Sequence, residues 1–262
     1  MPKYQEISTV LIRRQLAPSF FLLTLHAPKI AACAAPGQFV MAAVSSNQDP
    51  FLRRPISLYD CNREDGAVQL LIKPVGRGTS ALVKSEPGQH IDLLGPLGQG
   101  FQVVSGGPVA LVGGGVGIAP LYLLARVLIE SGTAPEQCLV LLGAQTGADL
   151  HSLASSFQAL GCPTRIATDD GSAGYHGRVG ELLPKHLREV RQVYACGPWP
   201  MMADIALQCA DAATPCQVSL ETHMGCGIGA CLGCTVHDSG GGYLHVCKTG
   251  PVVDATKVRW QP

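Results

Sequence analysis

The chain has 262 residues, 47% of them hydrophobic, with 31 Gly and 19 Pro. Such a composition supplies a core for one or two domains and excludes both wholesale disorder and a helical bundle. Only 15% of residues are charged, the formal net charge is zero and no long basic run exists, which excludes a nucleic-acid footprint and suits a permanent protein partner.

Residues 1–15 alternate polar and apolar side chains without a continuous apolar stretch, so they do not read as a signal peptide. With eleven Cys and no secretion signal, a reducing, cytoplasmic compartment is expected. The first hundred residues read as short strands, at 8–13, 20–26, 38–44, 56–59 and 67–74. Turn signals such as Pro36-Gly37, Asp65-Gly66 and Pro87-Gly88 separate them, a rhythm that predicts a small antiparallel barrel or sandwich. No long amphipathic helix is expected before Pro108.

The rhythm then changes. Residues 108–112 form an apolar run suited to a strand buried on both faces. A flexible glycine loop follows at 113–117, and Pro120 sits where a first helical turn should start. Further strands are expected at 138–142, 164–168 and 192–196, with helices at 149–160 and 200–210. Alternation of this kind predicts a parallel sheet with crossover connections. The charge-free stretch 93–125 holds too many Gly and Pro for a membrane-spanning helix. From about Cys216 the alternation ends and a cysteine-rich tail begins.

Three motifs carry chemistry. In Arg53-Arg54-Pro55-Ile56-Ser57, an arginine can hold a diphosphate bidentately and a serine hydroxyl can bond a polar ring atom; a solvated edge strand is the alternative. The turn from Lys73 to Thr79, with a short helix expected from Ser80, can also meet a phosphate. Residues 109–120 read VALVGGGVGIAP, a buried strand, a glycine turn and a helix start, which together offer N–H groups to a pyrophosphate. Ile118 breaks the G-x-G-x-x-G fingerprint, and no acidic residue ends the second strand. In the tail, Cys226-x4-Cys231-x2-Cys234-x12-Cys247 has the spacing of plant-type two-iron clusters, with Gly225, Gly227, Gly229 and Gly233 interleaved. Zinc ribbons usually pair two Cys-x2-Cys knuckles, and only one is present. Most of the other seven cysteines read as small buried hydrophobes.

In this order the motifs resemble the ferredoxin–NADP reductase superfamily. Its flavin motif is matched by Arg54-Pro55-Ile56-Ser57, its nucleotide loop by Gly113 to Pro120, and its late Cys-Gly-Pro turn by Cys196-Gly197-Pro198. The tail, from Glu221 through Cys234 and from His245 to Val252, is similar to that of the electron-transfer subunits of type B, NAD-dependent dihydroorotate dehydrogenases. Thr249 stands where an acidic residue is commoner there. Sister subunits of hydrogenases, sulfur reductases and transhydrogenases share much of the pattern. A redox sensor or a zinc-stabilised scaffold is the reading from another class.

The resemblance implies an architecture of class β + α/β. An N-terminal antiparallel FAD-binding β-barrel would occupy 1–103, a central parallel-sheet NAD-binding domain 104–215, and a C-terminal 2Fe-2S subdomain 216–262. FAD would be bound by Arg54, Pro55, Ile56, Ser57, Leu71, Ile72, Lys73, Gly78 and Thr79. NAD would meet Gly113, Gly114, Gly115, Gly117, Cys196, Gly197 and Pro198, and the cluster would be held by Cys226, Cys231, Cys234 and Cys247. The loop Gly143 to Asp149 carries no Lys or Arg, which favours NAD over NADP, although Arg165 and Arg178 could intrude. The implied partner is an FMN-containing dihydroorotate dehydrogenase catalytic subunit, two of each in a heterotetramer, working in pyrimidine biosynthesis. No acid–base dyad or nucleophile stands out, which fits a chain that moves electrons.

Overall fold

The structure is a computed structural model, and it describes residues 2–44 and 50–260. Six antiparallel strands close a barrel: β1 (Tyr4–Ala17), β2 (Phe20–His26), β3 (Phe39–Ala42), β4 (Arg54–Asn62), β5 (Ala67–Ile72) and β6 (His90–Leu97), in the order β1-β2-β5-β4-β3-β6. Period-two patterning explains the closure. Leu23 and Leu25, Leu70 and Ile72, and Ile91 and Leu93 point inward from alternate positions and are buried together. Two six-residue helices, α1 (Pro28–Cys33) and α2 (Arg77–Leu82), lie in the connections, so no long helix precedes Pro108.

The second unit is a seven-stranded sheet ordered β10-β9-β8-β7-β11-β12-β15. Its strands are β7 (Val109–Gly114), β8 (Cys138–Ala144), β9 (Thr164–Thr168), β10 (Tyr175–His176), β11 (Gln192–Cys196), β12 (Cys216–Ser219) and β15 (Val252–Asp254). Helices α3 (Ala119–Glu130), α4 (His151–Ala159) and α5 (Trp199–Asp211) complete the crossovers, and the tail adds the hairpin β13 (Thr235–His237) and β14 (Tyr243–His245) and a short α6 (Val246–Thr249). Alternation along β7 decides which helix covers which face. Val109 and Leu111 pack with Leu121, Leu124 and Phe157 of α3 and α4. Ala110 and Val112 pack with Met202 and Ile205 of α5.

Three expectations need correction. The sheet is mixed, because β15 pairs antiparallel with β12 while the other neighbours are parallel. Alternation does not end at Cys216 either: β12 extends the parallel ladder beside β11, and the tail returns to add β15 at the edge. The glycine segment is also tighter than a flexible loop. The strand runs to Gly114, and Gly115–Ile118 is a single 3-10 turn feeding α3.

Barrel and sheet are braced against each other through α3. Tyr59 of β4 stacks on Tyr122 of α3 with ring centroids 4.5 Å apart and planes 5° from parallel. Beside them Arg126 pairs with Asp60 at 3.0 Å and donates to the Cys61 carbonyl at 2.9 Å. Burial pushes the Asp60 carboxyl up, and Arg126 pulls it back down. Among the described residues no helix is long and apolar enough to cross a membrane.

Candidate functional site: two clefts and a cysteine loop

The first cleft lies between the barrel and the tail. Pro55, Ile56 and Ser57 of β4, Leu71 and Ile72 of β5, and Lys73 and Thr79 after it form one wall. Including its open mouth and the solvent there, it encloses about 860 Å³. Of the nine residues expected to bind flavin, Arg54 and Gly78 stand outside this wall and pack on each other beside it. A Cβ on Gly78 would come 2.7 Å from Arg54 Cζ. The Arg54 guanidinium also donates to the Leu52 carbonyl at 2.5 Å. Arg53 is drawn away, its guanidinium pairing with Asp92 at 2.5 Å. Thr79 Oγ1 accepts from Val75 N at 3.0 Å and Gly76 N at 3.3 Å, which holds the turn before α2 in shape.

The opposite wall was not legible in the sequence. It comes from the tail: Ser219, Leu220, Glu221, Thr222 and Met224, with Pro251. Glu221 is accessible along the cleft but enclosed by protein on its other sides, and that desolvation pushes its carboxyl up from the usual value. Thr222 Oγ1 is shielded from solvent and has no hydrogen-bond partner among the described residues. A buried hydroxyl without a partner, facing a largely apolar cleft, fits a site whose bound group completes the bonding. The only sequence signal for this wall was its adjacency to Cys226.

The second cleft opens on the other side of the glycine turn. Gly114 and Gly115 line it, with Gly143 and Ala144 from the end of β8, Asp169 after β9, and Pro198 before α5. The expected glycines divide by role. Gly113 is packed under Ile118 and Leu121 and does not line a cleft. Gly117 lets the turn touch the backbone of Cys196 and Gly197, since a Cβ would stand 2.5 Å from the Cys196 carbonyl. A Cβ on Gly197 would in turn stand 3.1 Å from Gly114 Cα. Cys196 is buried, at 1% exposure, and is absent from both linings. Burial pushes its thiol well up and nearby Glu221 adds to this, against a bond from Ser219. It is a packed thiol. Arg178 does enter this cleft, as do Asp149 and Asp204, whereas Arg165 does not. Lys73 lines both clefts.

The tail cysteines form two pairs. Cys234 Sγ and Cys247 Sγ lie 3.2 Å apart, and Cys226 is hydrogen bonded to Cys231. Among the described residues no three Cys, His, Asp or Glu side chains form one metal-holding cage. Backbone N–H groups turn inward onto the sulfurs. Ile228, Ala230 and Cys231 donate to Cys226 Sγ at 3.5, 3.3 and 3.4 Å, and Gly229 donates to Cys247 Sγ at 3.1 Å. Gly227 and Gly229 adopt φ of +73° and +85°, and this left-handed backbone lets the loop curl. Desolvation raises the Cys226 thiol, but these donors outweigh it and bring the pKa down to about 6. Gly227 rests on Met41 and Leu97 of the barrel, so the loop is seated against the same strands that support the first cleft.

The comparisons agree with this division. Residues 15–101 match an oxidoreductase FAD-binding domain, 111–206 an oxidoreductase NAD-binding domain, and 221–259 the iron–sulfur cluster binding domain of dihydroorotate dehydrogenase B. The chain is 40% identical to the dihydroorotate dehydrogenase B (NAD(+)) electron transfer subunit of Desulforamulus reducens over 260 residues, 96% of this chain and 97% of that one. It is 39% identical to that of Bacillus caldolyticus, covering 97% and 98%. A solved structure of an NADH-dependent reduced ferredoxin–NADP oxidoreductase superposes with a TM-score of 0.87 at 32% identity, covering 97% of this chain and 90% of that one. Matched along nearly its whole length, this chain belongs to the family of dihydroorotate dehydrogenase B (NAD(+)) electron transfer subunits.

Proposed function

We propose that this chain passes electrons from an FMN-containing dihydroorotate dehydrogenase catalytic subunit, through a 2Fe-2S cluster and FAD, to NAD+ in pyrimidine biosynthesis. One observation carries the reading: the segment leading into the cysteine loop, Glu221 to Met224, is also the far wall of the cleft built by the flavin-motif strand. The two redox sites therefore share a wall, and the nucleotide cleft begins across one glycine turn.

The residues present fit each group. Ser57 and Lys73 supply polar contacts in a cleft otherwise suited to a flat apolar ring, Thr222 supplies a hydroxyl that needs a partner, and Arg54 supplies a cation beside it for a diphosphate. Cys226 with Cys231 and Cys234 with Cys247 would hold the cluster, because two irons take two thiolates each and inward N–H groups favour thiolate. Gly114 and Gly115 would receive the pyrophosphate at the turn into α3. Bound FAD couples hydride exchange with a nicotinamide to single-electron exchange with an iron–sulfur centre. The chain's own residues bind and orient these groups; C–H cleavage of dihydroorotate is left to the partner. The divisions 1–103, 104–215 and 216–262 are proposed as functional units, with β12 and β15 docking the last onto the second. A cytoplasmic heterotetramer of two subunits of each kind is proposed as the assembly.

The test is reconstitution. The isolated chain should oxidise NADH with artificial acceptors and show no dihydroorotate oxidation; adding the FMN subunit should create NAD-linked dihydroorotate oxidation. Dihydroorotate turnover by the isolated chain overturns the subunit reading. The likeness to the NADH-dependent oxidoreductase favours a second reading, delivery of electrons to another acceptor subunit. Co-purification with a protein lacking FMN would select it.

A further inference from the structure

We propose that Lys248 tunes the reduction potential of the cluster in the tail, its ammonium beside the cysteine loop favouring the reduced state. The proposal rests on the 2Fe-2S reading above and deepens it, since four thiolates alone do not fix how readily such a centre takes an electron.

Lys248 directly follows Cys247 and lies in the short helix α6. Its stem runs against Gly229, where a Cβ would stand 2.9 Å from Lys248 Cδ, 3.2 Å from its Cβ and 3.4 Å from its Cγ. Gly229 is the residue whose N–H donates to Cys247 Sγ at 3.1 Å. The stem is thus laid across the loop at one of the amides that point at sulfur, and the ammonium follows two bonds beyond Cδ. A side chain at position 229 would displace the stem, and φ of +85° disfavours one there in any case. The backbone of Lys248 is anchored as well. Gln99 Nε2 donates to the Lys248 carbonyl at 3.5 Å, and Gln99 N donates to the Gly250 carbonyl at 2.6 Å. The residue is therefore tied to the end of the barrel by its main chain and to the cysteine loop by its side chain.

The charge is not neutralised by a partner. Among the described residues the Lys248 side chain has no hydrogen bond or ion pair, and it is exposed. From Thr222 to Cys247 the only Lys, Arg, Asp or Glu is Asp238. That carboxylate is held in the turn between β13 and β14, where Oδ1 accepts from Gly242 N at 2.7 Å. The loop carrying Cys226, Cys231 and Cys234 thus supplies amide dipoles and no formal charge, and the cation packed against it is Lys248.

A two-iron centre on four thiolates is negatively charged, and net charge and N–H donors to sulfur are among the factors that set its potential. Reduction takes one iron from ferric to ferrous and adds one negative charge. The electron comes from the partner's reduced FMN and leaves to FAD, and no bond forms or breaks. A fixed cation stabilises the more negative state more than the less negative one, so it raises the potential. Solvent screens an exposed ammonium, which keeps the effect small and makes it depend on salt.

The experiment uses the full chain with flavin and cluster, titrated anaerobically against potential and followed by electron paramagnetic resonance. Lys248→Met keeps a stem for Gly229 and removes the charge. It should lower the ratio of reduced to oxidised cluster at a fixed potential by about 3- to 10-fold, a downward shift of about 30–60 mV at about 59 mV per tenfold for one electron. Lys248→Glu should move further the same way, and Lys248→Arg should restore the wild-type value. Iron, sulfide and flavin contents should stay unchanged, and added salt should shrink the difference between wild type and Lys248→Met. If Lys248→Met and Lys248→Glu keep iron and sulfide and the wild-type potential, the Lys248 assignment is overturned while the cluster reading stands. If both lose the cluster and Lys248→Arg keeps it, the tuning role is overturned in favour of a part in assembly. If wild type itself assembles no two-iron cluster, the underlying reading falls and the proposal with it.

Discussion

The guanidinium of Arg54 lies directly over the backbone of Gly78: a Cβ on Gly78 would stand 2.7 Å from Arg54 Cζ and 2.9 Å from Nη2. Twenty-odd residues of chain separate them, and both were singled out as phosphate-side residues. A side chain at position 78 would push the guanidinium aside. The absent side chain makes room for the cation at the start of α2.

That contact yields the first prediction. Arg54→Ala should weaken FAD binding roughly 10- to 150-fold, the equivalent of about 1.5–3 kcal/mol for one charge-assisted bond. Gly78→Ala should weaken it in the same direction by displacing the guanidinium, without touching any charge. Flavin titration of both variants checks this; unchanged affinity in both would leave the pair as a structural contact.

Each of Cys226, Cys231, Cys234 and Cys247, when replaced by Ser, should lower iron and sulfide content while leaving much of the flavin bound. The measurement is metal, sulfide and flavin analysis with electron paramagnetic resonance on anaerobically purified protein. A full two-iron signal in all four variants would remove the assignment.

Leu232 is 54% exposed and holds φ +58°, a left-handed conformation unusual for a branched side chain. Ile228, 45% exposed, stands in the same charge-free loop. Exposed apolar side chains around the proposed cluster site suit a docking face. Leu232→Glu should block dihydroorotate-to-NAD+ coupling in the reconstituted complex while NADH oxidation by dyes continues. Undiminished coupling would move the interface elsewhere.

Glu221 has a carboxyl whose pKa is raised in the folded state by desolvation. Between its ordinary and its raised pKa the folded chain binds more protons than the unfolded one, so this group's contribution to stability falls as pH rises through that window. Glu221→Gln removes the titration. The Tm difference, variant minus wild type, should therefore grow from acidic toward neutral pH. A difference independent of pH would show that the carboxylate is not desolvated.

Much of this protein was legible without coordinates, because its signals are local. Period-two alternation announced the barrel strands, a five-residue apolar run announced β7, and the spacing of Cys226, Cys231, Cys234 and Cys247 pointed to converging thiols, of which the structure shows two pairs. Each depends on residues near in sequence, and so does the Arg54-Pro55-Ile56-Ser57 motif. What only the tertiary structure decided are contacts between segments far apart. Residues 219–224 and Pro251 wall the cleft opposite β4, because β12 and β15 join the sheet beside β11 and carry the tail back toward the barrel. The same return makes the sheet mixed and seats Gly227 on Met41. Cys196 pointed to the nicotinamide by its turn motif, yet packing buries its thiol. Asp169 carried no motif at all: its place in the cleft comes from the parallel register of β8 and β9, which sets the two strand ends side by side. Hydrophobic periodicity encodes which face of an element is buried, whereas strand order and register are set by the packing of the whole sheet, and these residues depend on the latter.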